Sequence, residues 1–349
     1  MARRFAAAPA AATWLAASVA FAQDRPRVVP GAHDALLAAG PQAAHIGQLW
    51  NVVVAVCTVV FCAVLLGVLV ALWRSGKATE ATPVDLSSLG RHERGPYRAV
   101  LAAIGVSVAL LFAMVVASVA ADRALARLSL EGAVTIDVTA HQWWWELQYG
   151  GSPESARFTT ANELHVPVGK PVIVRLRSDD VIHSFWVPSL AGKKDLIPGR
   201  TTTLHFRADQ PGRYRGQCAE FCGFQHAFMA FEVIADPPDR YEAWAAAQRQ
   251  PAAEPDDAAA QRGRDVFLRS ACVMCHAIEG TIAAARKAPD LTHLASRTTL
   301  AAGTLPNGAD ELSRWIADPQ ALKPGVNMPA ATLASADLAA LVAYLGSLK

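Results

Sequence analysis

Two uncharged apolar runs stand out near the start of the chain: 22 residues over 52–73 and 23 over 99–121. Each is long enough to cross a hydrocarbon core of about 30 Å at 1.5 Å per residue, which predicts transmembrane helices over about 50–73 and 98–121. Neither run holds an acid or a base, so no proton relay is expected within them. Cys57 and Cys62 in the first run read as small apolar packing residues. The connection 74–98 carries five basic residues against three acidic ones, whereas 23–50 carries only Arg25 and Arg27 as basic residues. That bias places the connection in the cytoplasm and the rest of the chain outside. Arg3 and Arg4, an Ala-rich apolar run and Ala20-Phe21-Ala22 read as a signal peptide over 1–22, with the mature chain starting at Gln23. Residues 23–127 then comprise an exported N-terminal segment and the two spans.

Beyond the second run the period shortens. Strand-like stretches fall at 134–140, 142–149, 163–167, 171–177, 181–187, 201–206, 212–217 and 230–235, parted by turn signals such as Gly150-Gly151, Pro198-Gly199 and Gln210-Pro211-Gly212. This predicts a Greek-key β-sandwich over 128–240. A short helical piece and an Ala-, Pro- and acid-rich stretch without periodicity make 241–260 a linker. Residues 261–349 read as an all-α domain. The pattern reads as a multidomain membrane protein: a two-helix hairpin, a Greek-key β-sandwich and a small all-α domain.

A hydrophobic fraction of 52% agrees with membrane spans, and 32 basic against 30 acidic residues give no electrostatic case for nucleic acid. The chemistry lies in residues 218–229, where Cys218, Cys222, His226 and Met229 fall within twelve positions. Thiolate, imidazole and thioether together suit copper better than a hard cation. One copper of the blue type would need a single Cys with two His and a weak Met, so two thiols are one too many. Two cysteines can instead bridge two copper ions, each wanting its own imidazole. His183, at the end of a strand-like run, is the candidate for the second. A Cys218–Cys222 disulfide or a zinc site remains open at this point.

Pro188-Ser189-Leu190, Asp195-Leu196-Ile197-Pro198-Gly199-Arg200, Gly216-Gln217-Cys218-Ala219-Glu220-Phe221-Cys222-Gly223 and the upstream His141-Gln142-Trp143-Trp144-Trp145 resemble subunit II of cytochrome c oxidase over about 42–238. The resemblance implies that the sandwich is a cupredoxin-like domain with a dinuclear copper A centre held by His183, Cys218, Cys222, His226, Met229 and the backbone carbonyl of Glu220. It also implies magnesium on the Glu220 carboxylate, shared with the catalytic subunit. Trp143 becomes the residue by which electrons reach copper. Where the family often has an acid before an apolar and Trp stretch at the second helix, leading to a proton entrance, this chain has Arg91-His92-Glu93-Arg94-Gly95-Pro96-Tyr97, and Glu93 matches only loosely.

Cys272-Val273-Met274-Cys275-His276 is the attachment pattern of haem c, with thioethers from Cys272 and Cys275 and an axial bond from His276. The one methionine after His276 is Met328, in Pro324-Gly325-Val326-Asn327-Met328-Pro329, and it is the expected second axial ligand. His293 reads as a capping or hydrogen-bonding residue. Residues 261–349 resemble a class I cytochrome c, and the fusion resembles subunit II of caa3-type oxidases. That implies a subunit of a proton-translocating terminal oxidase in the bacterial inner membrane, with its copper and haem domains on the periplasmic face. The implied partners are catalytic subunit I, subunit III, and an external donor, a cytochrome c or a quinol-cytochrome c reductase. A copper-binding assembly or electron-carrier protein is the alternative, although it would not need covalent haem.

The helical domain carries a net charge of +2 and residues 129–240 carry −2, too little to drive docking. A linker of about 15 residues spans at most ~50 Å and sets an effective concentration on the order of mM. Haem-to-copper transfer is therefore expected to be nearly independent of ionic strength. A steep fall in its flash-photolysis rate with added salt would contradict this.

Overall fold

The computed structural model describes residues 33–75, 82–83, 90, 94–150 and 157–349. The expected signal peptide and Glu93 lie outside the described residues. Helices α1 (Pro41–Arg74) and α2 (Arg94–Ala126) contain the two apolar runs and expose their side chains along nearly their whole length. Only Gln42 and Ala43 of α1 are buried, because the first turn of the helix is fastened to the next domain. Ala39 N–H donates to Ser189 O (2.7 Å), Ala43 N–H to Leu190 O (3.1 Å), and Asp209 N–H to Ala39 O (2.9 Å). Between them Gly40 passes so close that a Cβ there would lie 2.0 Å from Arg207 O; only glycine fits.

The sandwich pairs two five-stranded sheets. One runs β3 (Phe158–Ala161), β2 (Trp144–Tyr149), β1 (Val134–His141), β5 (Val172–Ser178), β8 (Thr202–Phe206); the other runs β4 (Glu163–Pro167), β10 (Ala230–Asp236), β9 (Gly212–Cys218), β6 (His183–Trp186), β7 (Lys194–Leu196). Period-two alternation in β1, β2 and β9 sends Ile136, Val138, Trp145, Leu147, Tyr214 and Cys218 inward. Trp145, Phe185 and Phe231 pack ring against ring at 4.5 to 5.9 Å under one end of the sandwich. That aromatic floor supports the loop after β9.

Helix α3 (Pro238–Gln248) follows β10 without leaving the sandwich. Tyr241 and Ala245 join its core, and the Trp244 ring stacks on His165 with centroids 4.0 Å apart. The connecting stretch is thus shorter than the expected 241–260, since Trp244 packs its ring against Tyr149 of β2, Phe158 of β3 and His165 of β4. The helical domain begins at α4 (Ala258–Arg269), capped by Asp257, whose side chain accepts from Ala260 N–H. It continues with α5 (Ala309–Ala317), α6 (Pro319–Leu322) and α7 (Ser335–Ser347). Phe267 of α4 and Leu341, Tyr344 and Leu345 of α7 form its core with Ile278, Leu294 and Ile316.

This domain does not float on its tether. The Glu163 carboxylate, 3% exposed, accepts from Thr298 N–H (2.8 Å), Thr298 Oγ1 (2.6 Å) and Thr299 N–H (3.1 Å). Ala230 N–H at the start of β10 donates to Ala302 O (3.1 Å). Lys323, only 2% exposed, donates to Trp143 O (3.2 Å) and Ala301 O (2.9 Å). Burial pulls the Lys323 amine from 10.5 down to about 7. With the folded value depressed, docking releases a proton between these limits. Lys323 therefore opposes docking most below pH 7 and progressively less as pH rises toward 10.5. Hydrogen exchange at the interface is expected to slow, relative to the exchange rate of an unstructured chain, as pH rises from 6 to 9; the opposite trend would refute the assignment.

Candidate metal centres

Strand pairing assembles the first centre. Phe185 of β6 lies opposite Cys218 of β9, which brings His183, at the start of β6, beside the Cys218 thiol. Trp186 and Ala230 both oppose Gln217 from either side. The chain leaves β9 at Cys218 and re-enters the sheet at Ala230, so residues 219–229 form a closed loop. Cys218 N–H donates to Met229 O (3.0 Å) and shuts its base. Gly223, at φ +110°, allows the turn after Cys222, and the Gln217 amide clamps its far side by donating to His226 O (3.1 Å) and Ala227 O (3.3 Å).

The two sulfurs lie 3.7 Å apart, well beyond the ~2.05 Å of a disulfide, and both cysteines are free. His183 Nδ1 is 3.8 Å from Cys218 Sγ, and His226 Nδ1 is 3.6 Å from Cys222 Sγ. Each imidazole thus serves a different thiol. Met229 Sδ is 3.8 Å from Cys222 Sγ, and Glu220 O is 3.2 Å from Cys218 Sγ. All six donors expected from the sequence converge. The contact between the two sulfurs pushes the Cys218 thiol down and the Cys222 thiol up. The pair therefore shares one proton, which a thiophilic metal would displace. Two thiols, two imidazoles, a thioether and a carbonyl, with His183, Cys218, Cys222 and Met229 buried, fit soft-metal binding away from water.

Asp180 and Gln142, which sequence reasoning had left without a role, support the ligands. Asp180 Oδ1 is 2.7 Å from His183 Nε2, which fixes the ring so that Nδ1 faces the thiols. Burial pulls the His183 imidazole down, but its hydrogen bonds to Asp180 and Cys218 outweigh this and raise it. Gln142 Nε2 (2.7 Å) and Trp143 Nε1 (2.9 Å) both donate to Cys222 O. The Glu220 carboxylate turns away from the sulfurs to Lys193 Nζ at 3.5 Å.

In the helical domain, Cys272 and Cys275 lie on and beside a 3₁₀ turn, Ala271–Met274. His276 N–H donates to Cys272 O (3.0 Å), which gathers the three residues. His276 Nδ1 is 2.7 Å from Pro289 O, leaving Nε2 for iron. Burial lowers the imidazole from its usual value, favouring the neutral form that ligates. Met328 is half-buried against the same core as Cys272 and Val273. His293 has both ring nitrogens engaged, at 2.8 Å from Lys349 O and 3.0 Å from Gln250 O, which agrees with its expected hydrogen-bonding role. Arg297 was not anticipated. It is buried, and its Nε has no hydrogen-bond partner among the described residues. An orphaned guanidinium N–H calls for an anion, and a haem propionate would supply one.

Residues 134–235 match the family described as "Cytochrome C oxidase subunit II, periplasmic domain", and residues 260–349 match "Cytochrome c". Cytochrome c oxidase subunit 2 of Alkalihalophilus pseudofirmus is 44% identical over 220 residues, 63% of this chain and 62% of that protein. The Bacillus sp. (strain PS3) protein of the same name is 35% identical over 229 residues, 62% of each. This chain thus spans 62% of the length of both relatives. A crystal structure of the periplasmic domain of subunit II of cytochrome oxidase from Bradyrhizobium japonicum is similar at 31% identity, covering 35% of this chain and 96% of that one, with a TM-score of 0.32. Residues 134–235 are thus similar to the cytochrome c oxidase subunit II family and residues 260–349 to the cytochrome c family, the two stretches lying in one polypeptide.

Proposed function

We propose that this protein is the subunit through which electrons enter a haem-copper terminal oxidase. It would lie in the bacterial inner membrane with its copper and haem domains on the periplasmic side. The observation that carries this reading is the pair of free thiols 3.7 Å apart, each approached by its own imidazole nitrogen. A structural zinc site is complete with two thiols and two imidazoles and has no use for the thioether of Met229 or the Glu220 carbonyl. His183, Cys218, Cys222, His226, Met229 and the Glu220 carbonyl would hold two copper ions; Cys272, Cys275, His276 and Met328 would hold haem c. When bound, these groups supply one-electron transfer in the order external donor, haem c, copper pair, catalytic subunit.

The protein's own contribution is to fix positions and exclude water. Asp180 orients His183, the hydrogen bonds of Gln142 and Trp143 to Cys222 O hold the outer thiol, and the Trp145–Phe185–Phe231 floor leaves the loop no room to collapse. The Glu220 carboxylate, on the exposed side beside Lys193, is the candidate magnesium ligand where catalytic subunit I would sit, with subunit III beyond it. The described helices expose apolar faces suited to lipid and partner helices.

The purified chain is expected to show c-type haem absorption and a mixed-valence copper EPR signal; a haem-loaded chain that takes up no copper would overturn the reading. Asp180→Asn is expected to lower copper affinity about 10- to 100-fold while leaving the haem spectrum unchanged, as measured by competition with a copper chelator.

A further inference from the structure

The segment 323–328, which ends in the expected iron ligand Met328, does not face solvent. It lies on the strand and loop that hold the thiol pair. Gln225 of the copper loop donates through Nε2 to Pro324 O (2.5 Å). A Cβ on Gly325 would stand 3.4 Å from the Phe224 side chain. Asn327, next in sequence to Met328, donates through Nδ2 to Gln142 O (3.0 Å). Lys323 reaches the next carbonyl along, Trp143 O. From Gln142 and Trp143, two side-chain hydrogen bonds converge on one atom, Cys222 O. A continuous run of covalent bonds and two hydrogen bonds therefore leads from Met328 through Asn327 and Gln142 to Cys222. Trp143 is only 7% exposed, and its carbonyl is taken by Lys323 of the helical domain.

We propose that Asn327 is a positioning residue that completes this bridge. The 142–143 dipeptide then acts as an internal relay between the two metal sites rather than as a landing point for an outside donor. The inference rests on the copper and haem assignments above. In the step concerned, one electron leaves the iron side, which is oxidised, and one reaches the copper side, which is reduced; no bond forms or breaks and no proton is required. Hydrogen bonds carry such a step better than a gap of the same length, and Asn327 supplies the one that joins Met328's own segment to the copper domain.

The full chain, loaded with haem and copper, tests this. In Asn327→Ala the haem-to-copper rate after flash reduction is expected to fall, with both metal spectra unchanged. In Asn327→Asp a carboxylate would face the Gln142 carbonyl and repel it. The same fall in rate is expected there, together with faster hydroxyl-radical oxidation of Trp143, read by mass spectrometry on the chain before copper loading. An unchanged rate in both variants, or Trp143 oxidation in Asn327→Asp equal to the parent's, overturns the proposal. Failure of the parent chain to take up copper would instead overturn the functional reading.

Discussion

Two thiols held within van der Waals reach, yet kept from joining, are the constraint on which this molecule depends. Cys218 is the last residue of a central strand and cannot move without breaking its pairing with Phe185 of β6 and its hydrogen bond to Met229 O. Cys222 belongs to a loop and would be free to turn outward, were its carbonyl not held by two donors from the opposite sheet. The sandwich therefore fixes one sulfur through its backbone and the other through side chains of β1–β2. Both sheets are needed to keep the separation at 3.7 Å. A proton shared between such sulfurs is easily replaced by a soft metal, so the fold stores its affinity in the spacing rather than in any single ligand.

The docking of the cytochrome domain follows a different logic. A tether of a few residues already keeps the two domains together at high effective concentration, so the contacts between them need not supply much affinity. They supply orientation instead. Glu163 gathers both backbone and hydroxyl donors of Thr298 and Thr299, which defines direction more than strength. Lys323 is buried without a matching carboxylate among its hydrogen-bond partners and meets two carbonyls. Burying an amine in this way costs stability and makes sense where one arrangement must be favoured over others of similar energy.

The parts of the molecule written in local pattern were legible from the sequence. Apolar runs of 22 and 23 residues marked the helices, alternation marked the strands, and soft donors clustered at 218–229 marked the copper loop. His183 could be named because a pair of thiols with one nearby imidazole lacked a ligand, although its distance from Cys218 depends on the β6–β9 register. Asp180 was visible three positions before it, but a carboxylate on a turn has many roles, and only the 2.7 Å contact distinguishes this one. Arg297, Lys323 and Asn327 carried no local signal at all. Their roles arise where segments far apart in the chain meet, and Lys323 reads as an ordinary surface residue until the copper domain is laid over it. Helix α3 was legible as a short helical piece within the linker, but Trp244 finds its partners only on the finished sandwich.

The tight passage at Gly40 reaches beyond local packing. Because the strand-like residues before α1 lie against Ser189, Leu190 and Arg207, the first membrane helix grows directly out of the copper domain with no hinge between them. Tilting of that helix in the bilayer would swing the thiol pair with it, like the head of a rigid post. The angle at which α1 stands then becomes a means of setting where the thiol pair is held relative to the far end of that helix.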